Sequence, residues 1–138
     1  MSKGMSTQCA EELADRVIEA AVQVHKELGA GRAKSVYENA LQDSLSSHGL
    51  QAYSQVWMPL QLRGLHLNCG AVADVLVEED LIVKIVNSEA GCSVAEEELL
   101  SCLQMSGKKM GLLLDFNEPI LSEGIKLLAL WEPAQALH

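Results

Sequence analysis

Val72-Ala73-Asp74-Val75-Leu76-Val77, then Glu78-Glu79-Asp80, then Leu81-Ile82-Val83-Lys84-Ile85-Val86: this stretch decides the fold. Two runs of strand-forming residues flank an acidic turn too short for a crossover, so the spacing predicts an antiparallel hairpin. Downstream, Ser93 and Glu96 match a capping box that opens a helix to about Ser106, with Val94, Leu99, Leu100 and Leu103 facing inward and Gly107 as its stop. Met110 to Phe116 is an apolar run long enough for a buried strand. A hairpin followed by a helix and a further strand contains a β-α-β unit. A mixed sheet with helices on its faces follows.

Working outward, the first helix is expected over about Ala10 to Leu28. Leu13, Val17, Ala20, Ala21, Val24 and Leu28 recur at three- and four-residue spacing, and Gly29 ends the run. Ser35 with Glu38 reads as a capping box for a second helix with Val36, Tyr37, Ala40, Leu41 and Leu45 on its inner face, ending at Gly49. Beyond Gln51 the period becomes two. Tyr53 to Leu62 reads as a strand interrupted or bent at Pro59, suited to a sheet edge or a bulge, and Leu65 to Leu67 as a short strand between the turns Arg63-Gly64 and Asn68-Cys69-Gly70. Ile125 to Trp131, after the Asn117-Glu118-Pro119 turn, is a final strand or short helix, and periodicity leaves the two open. The fold class is α/β: one domain over 10–131, with tails at 1–9 and 132–138, built on a mixed four- to five-stranded sheet flanked by helices.

Composition bounds the function. The chain has 138 residues, the size of one ordinary domain. Aromatics make up 4%, so aliphatic side chains must fill the core. With 19 acidic against 10 basic residues the net charge is −9, and Lys108-Lys109 is the one adjacent basic pair. That balance opposes nucleic-acid binding, which needs clustered cations to neutralise phosphates. Cys9, Cys69, Cys92 and Cys102 show no CxxC spacing, which argues against structural zinc and reads as small buried hydrophobes. No secretory or transit pattern is visible and no apolar stretch approaches a membrane span, so an intracellular, cytoplasmic protein is expected.

At the motif level, Val24-His25-Lys26-Glu27-Leu28-Gly29 followed by Gly31-Arg32-Ala33-Lys34-Ser35-Val36-Tyr37 resembles the bacterial GxxExxY proteins of the PD-(D/E)XK nuclease superfamily. The likeness continues through Ala73 to Val77, the helix Glu96 to Gly107, and Gly111-Leu112-Leu113-Leu114-Asp115-Phe116-Asn117, covering roughly residues 10 to 130. It implies a restriction-endonuclease-like sheet and a site in which carboxylates on adjacent strands hold Mg²⁺ beside a lysine that helps activate water. Asp74 matches the first carboxylate of such a site. The following strand, expected as Glu-x-Lys, reads Lys84-Ile85-Val86. Lys34 stands at the glutamate of the GxxExxY signature, although Gly31 and Tyr37 agree with it. Glu98 and Cys102 stand where the third helix of the family carries glutamine and tyrosine.

These departures carry a physical consequence. Lys84 and Val86 point to the same face of their strand. An ammonium about 4 Å from a divalent ion is repelled by roughly 8 kcal/mol at an effective dielectric near 20. Asp74 is either a remnant metal ligand or the partner of Lys84 in a structural ion pair, with Glu98 or Glu38 as a second acceptor for that lysine. Glu96-Glu97-Glu98 is read as a helix N-terminus favoured by the helix dipole rather than as a metal site. His25 is read as a helix C-terminus contact or a solvated residue. Tyr37 and Tyr53 are read as packing residues, and Trp57 and Trp131 as core or partner-facing residues at the sheet margin. The expectation is a catalytically inactive nuclease-fold protein that serves as a structural or protein-interaction subunit, with a protein partner or homo-oligomer and no cofactor. The alternative is a Mg²⁺-dependent DNA or RNA nuclease with an atypical site around Asp74.

Overall fold

The computed structural model describes residues 7–57, 60–62, 65–67, 72–86, 92–108 and 110–129. The expectations placed on the first six residues, the Pro59 bend, the turns at Arg63-Gly64 and Asn68-Cys69-Gly70, Trp131 and the tail 132–138 lie outside them.

Helix α1 spans Thr7–Leu28 and α2 spans Lys34–Ser47. Strands β1 (Ala52–Trp57), β2 (Leu60–Leu62), β3 (Leu65–Leu67), β4 (Val72–Val77) and β5 (Leu81–Val86) follow. Helix α3 (Cys92–Ser106) leads to β6 (Met110–Asp115), a 3₁₀ turn at Leu121–Gly124 and β7 (Ile125–Ala129). The main sheet has five strands in the order β1-β4-β5-β6-β7, and β2 and β3 form a separate two-stranded ribbon. Thus the stretch from Tyr53 to Leu62 is interrupted rather than bent, and its two strands lie in different sheets.

The hairpin and crossover form as the sequence predicts. β4 and β5 are antiparallel, and β5 pairs in parallel with β6 across α3. The hairpin turn places Glu78 and Glu79 in the left-handed region, with φ of 55° and 60°. Strands twisted to the right favour such mirror-image turns even at a steric cost for side chains with a Cβ. Glu78 offsets part of that cost, because its carboxylate accepts the Gln51 N–H at 2.6 Å while its own N–H donates to the Gln51 carbonyl at 2.8 Å.

The sheet separates two apolar cores. Helices α1 and α2 cover one face, with Leu13, Val17, Ala21, Leu41 and Leu45 packed on Val75, Val77, Leu81, Val83, Ile85, Leu112 and Leu114. On the other face Ala95, Leu99, Cys102 and Leu103 of α3 pack on Ala73, Leu76, Ile82, Val86 and Leu113. A Cβ built at Gly111 would lie 2.8 Å from the Leu99 side chain, so the bare backbone there lets α3 sit close to the sheet. Among the described residues no helix is long and apolar enough to cross a membrane.

Several local expectations are corrected. Helix α2 begins at Lys34 with Ala33 as its cap and no side-chain capping bond, so Ser35 and Glu38 form no capping box. The face of α2 is also rotated: Val36 is exposed, and Glu38 is buried with Tyr37, Leu41 and Leu45. Helix α3 begins at Cys92, one residue before its expected cap, and Val94 faces outward while Ala95 and Cys102 face inward. No acidic residue occupies its first turn, so Glu96 to Glu98 lie beyond the reach of the strongest dipole effect. The final element is a strand, antiparallel to β6.

Because Glu79 stands in a left-handed conformation that glycine adopts without steric cost, Glu79→Gly is expected to stabilise the fold by about 1 kcal/mol in urea unfolding.

Candidate functional site

The regular alternation of side chains breaks at one place in the sheet. Ala52 pairs with Val77, and both belong to the core under α1 and α2. Further along the same two strands Val56 pairs with Ala73, and both belong to the core under α3. The ribbon therefore changes face between Ser54↔Val75 and Val56↔Ala73. The residues at the change are Gln55, whose φ is 54°, and Asp74. A strand that turns over in this way re-aims its side chains, as β-bulges do next to sites.

The β4–β5 pairing runs from Val77↔Leu81 to Val75↔Val83. Just past it the Asp74 carboxylate occupies the space between the strands, and its Oδ2 accepts the backbone N–H of Ile85 at 2.8 Å. A side chain thus replaces a backbone carbonyl where the strands part. The Asp74 side chain is 3% exposed, and burying a carboxylate there demands further partners.

Those partners come from three elements, α2, β1 and β5. Lys34, in the first turn of α2, places Nζ 3.0 Å from Asp74 Oδ2. Gln55 of β1 donates from Nε2 to Asp74 Oδ1 at 3.4 Å and to Glu38 Oε2 of α2 at 2.9 Å. Lys84 of β5 lies 4.0 Å from Asp74 Oδ2 but 3.1 Å from Glu98 Oε1 of α3. Asp74 and Lys84 therefore do meet, at the long limit of an ion pair. The shorter contact of Asp74 is to Lys34, and that of Lys84 is to Glu98. Glu38 receives Gln55 and not Lys84. Val86 is buried in the core under α3, so its position is closed by packing.

The Gly31-to-Tyr37 motif sets the position of Lys34. Tyr37 is fully buried and its ring stacks on Phe116 at 4.3 Å between centroids and 8° between planes. Its hydroxyl donates to the Gly29 carbonyl and accepts the Arg32 N–H at 3.0 Å, so it holds both sides of the loop that leads into α2. Gly29 and Gly31 take φ of 75° and 87° in that loop, which residues with a Cβ adopt only at a cost. His25 is neither solvated nor bonded to a helix end: it is buried near Phe116, with Nε2 2.9 Å from the carbonyl oxygen of Glu118 in the turn after β6. Tyr53 is exposed on the edge strand, and Trp57 is 65% exposed at its end.

Burial, reinforced by the neighbouring Asp74 charge, pushes the Glu38 carboxyl up from its usual value of 4.5, against the opposing pull of Lys34, Gln55 and Lys84. Burial likewise raises the Cys102 thiol, which keeps it protonated and inert as a nucleophile. Cys102 is free and buried. Among the described residues, no buried side-chain nitrogen or oxygen lacks a hydrogen-bond partner. No group of three or more His, Cys, Asp or Glu side chains among them is placed to hold a metal ion.

The sequence pointed to Asp74, Lys84, Lys34 and Glu98, and the fold brings all of them together. It gave no role to Gln55, and it assigned Lys34 no partner. A signal for the second was present, because Lys34, Glu38, Leu41 and Leu45 follow i, i+4, i+7, i+11 spacing and share one helix face.

With this geometry in view, the comparison with family models is decisive for fold and ancestry: the model of the PD-(D/E)XK nuclease superfamily matches residues 11–128. The chain belongs to the PD-(D/E)XK nuclease superfamily. The match runs from Glu11, within α1, to Leu128, within β7, and so takes in α2, α3 and strands β1 to β6 whole. No curated protein and no solved structure gives a significant match.

Two outcomes test the site. Tyr37→Phe removes the bonds to Gly29 and Arg32 while keeping the ring stack, and is expected to destabilise the fold by about 1 kcal/mol in urea unfolding. The second concerns Glu38, whose folded-state value lies above its unfolded one. The stability it contributes is complete below about pH 4.5 and is lost as pH rises through the raised folded value. Glu38→Gln keeps an acceptor for Gln55 and removes the charge. The difference in unfolding free energy between variant and wild type is expected to grow in favour of the variant across that window.

Proposed function

We propose that this PD-(D/E)XK chain is a catalytically inactive member of its superfamily, retained as a structural or protein-interaction subunit. The observation that carries the reading is the state of Asp74. Its Oδ2 already serves the Ile85 N–H and the Lys34 ammonium, and its Oδ1 serves Gln55. A hard divalent cation needs oxygen donors, and the adjacent strand presents Lys84 and Val86 instead. These residues fit Mg²⁺ poorly. The net charge of −9 further opposes approach to a phosphate backbone. The exposed Trp57 and Tyr53, both on edge strand β1, supply the aromatic surface that protein interfaces favour.

One observation favours a second reading, a Mg²⁺-dependent DNA or RNA nuclease with an atypical site. Asp74, Glu38, Glu98 and Lys84 form one connected cluster, and these are the residue types that metal-assisted hydrolysis uses. The carboxylates are linked through lysine and glutamine side chains rather than turned toward a common point, which is why the first reading is preferred.

Incubation of the purified chain with DNA and RNA substrates in Mg²⁺ or Mn²⁺, beside Asp74→Ala, separates the two. The expected result is the same background cleavage from both proteins. Metal-dependent cleavage by the wild type that Asp74→Ala abolishes would overturn the proposal.

A further inference from the structure

We infer that the outer edge of β7 is a self-association surface, on which β7 of a second copy pairs antiparallel and joins two five-stranded sheets into one. The inference goes beyond the inactive-subunit reading and does not depend on the state of Asp74.

The sheet ends in two edges, β1 and β7. An open edge presents amides and carbonyls to any strand that aligns with it. In β1 the row is interrupted at Gln55, whose φ is 54°. β7 carries no such interruption: none of Ile125 to Ala129 has a positive φ, and the strand contains no proline. Its register with β6 is continuous from Leu114↔Ile125 to Met110↔Ala129. Among the described residues nothing pairs with its other side.

The side chains of β7 continue the two layers of the domain. Ile125 pairs with Leu114 and Leu127 with Leu112, which places both on the side of α1 and α2. Leu127 is nonetheless 44% exposed, and Ile120, just ahead of the 3₁₀ turn that feeds the strand, is 58% exposed. Lys126 and Leu128 lie on the α3 side, where Lys126 Nζ meets Glu96 Oε1 at 3.0 Å.

The occupant follows from charge and symmetry. A net charge of −9 sets copies of this chain against one another over most of their surface. β7 is an exception, because its single charged residue is a lysine already balanced by Glu96. A two-fold axis at Leu127 sets Leu127 opposite its own copy, Ile125 opposite Ala129 and Lys126 opposite Leu128. No like charges then stand directly opposite, the arrangement that antiparallel pairing penalises. On the α3 side two neutral Lys126–Glu96 pairs meet, and on the other side the uncovered Leu127 side chains cover each other. The patch is thus its own complement, as a closed two-fold interface requires.

Analytical ultracentrifugation of the full chain, with disulfide trapping, tests this. The wild type is expected to sediment as a reversible dimer. Leu127→Glu sets two carboxylates opposite each other at an exposed position, and is expected to raise the dimer dissociation constant by about 10-fold or more. Trp57→Ser, at the other edge, is expected to leave the dimer intact. Leu127→Cys brings two thiols to directly opposed positions and is expected to form an oxidised dimer, whereas Lys126→Cys, opposite Leu128, is expected to form far less. The wild type oxidised in parallel accounts for the native cysteines. If Leu127→Glu does not fold, the two cysteine variants decide the matter. A monomeric wild type overturns the inference. So does a dimer that Leu127→Glu leaves unchanged or that Trp57→Ser dissolves, and so does equal trapping at positions 126 and 127. Metal-dependent cleavage defeats the inactive-subunit reading and leaves this inference standing.

Discussion

The carboxylate of Asp74 bridges strands β4 and β5 where their backbone pairing ends. Strands β4 and β5 stop pairing as Asp74 enters, and its Oδ2 takes the Ile85 N–H in place of a backbone acceptor. A buried charge in that position is stable only if several groups converge on it. Lys34 from the layer above the sheet, Gln55 from the next strand and Lys84 from the hairpin partner all do so. The chain turns over between its two cores at the same point, so one ionised group links both faces of the domain.

Much of the fold could be read from residue order because local and global preferences agree there. The runs Val72 to Val77 and Leu81 to Val86, the acidic turn between them and the apolar run at Met110 admit one simple arrangement. Agreement of this kind is what a minimally frustrated sequence displays. Sequence and structure differ where a short pattern has two meanings. Ser35 and Glu38 match a capping box, but Glu38 lies on the same helix face as Leu41 and Leu45 and turns toward Gln55 instead. Val94 is apolar and reads as core, whereas the stripe of α3 runs through Ala95, Leu99, Cys102 and Leu103.

The site was half legible. Asp74, Lys84, Lys34 and Glu98 stand out because they interrupt or replace an expected pattern of charges. Which lysine meets which carboxylate was not legible, since it depends on the rotation of α2 and the close approach of α3 to Gly111. Gln55 left no trace at all. On an alternating strand it reads as an outward polar residue, and its part follows only from the left-handed backbone that turns the ribbon over.

That backbone at Gln55 has a second effect. Strand β1 is an edge of the sheet, and an edge exposes a row of unpaired amides and carbonyls that can template the addition of another chain. A left-handed residue in the middle of a six-residue strand breaks the row into segments too short to nucleate a cross-β stack. The irregularity that orients the charge cluster thereby also guards against self-association through the backbone. The features that protrude from this edge are the rings of Tyr53 and Trp57 rather than an uninterrupted main chain.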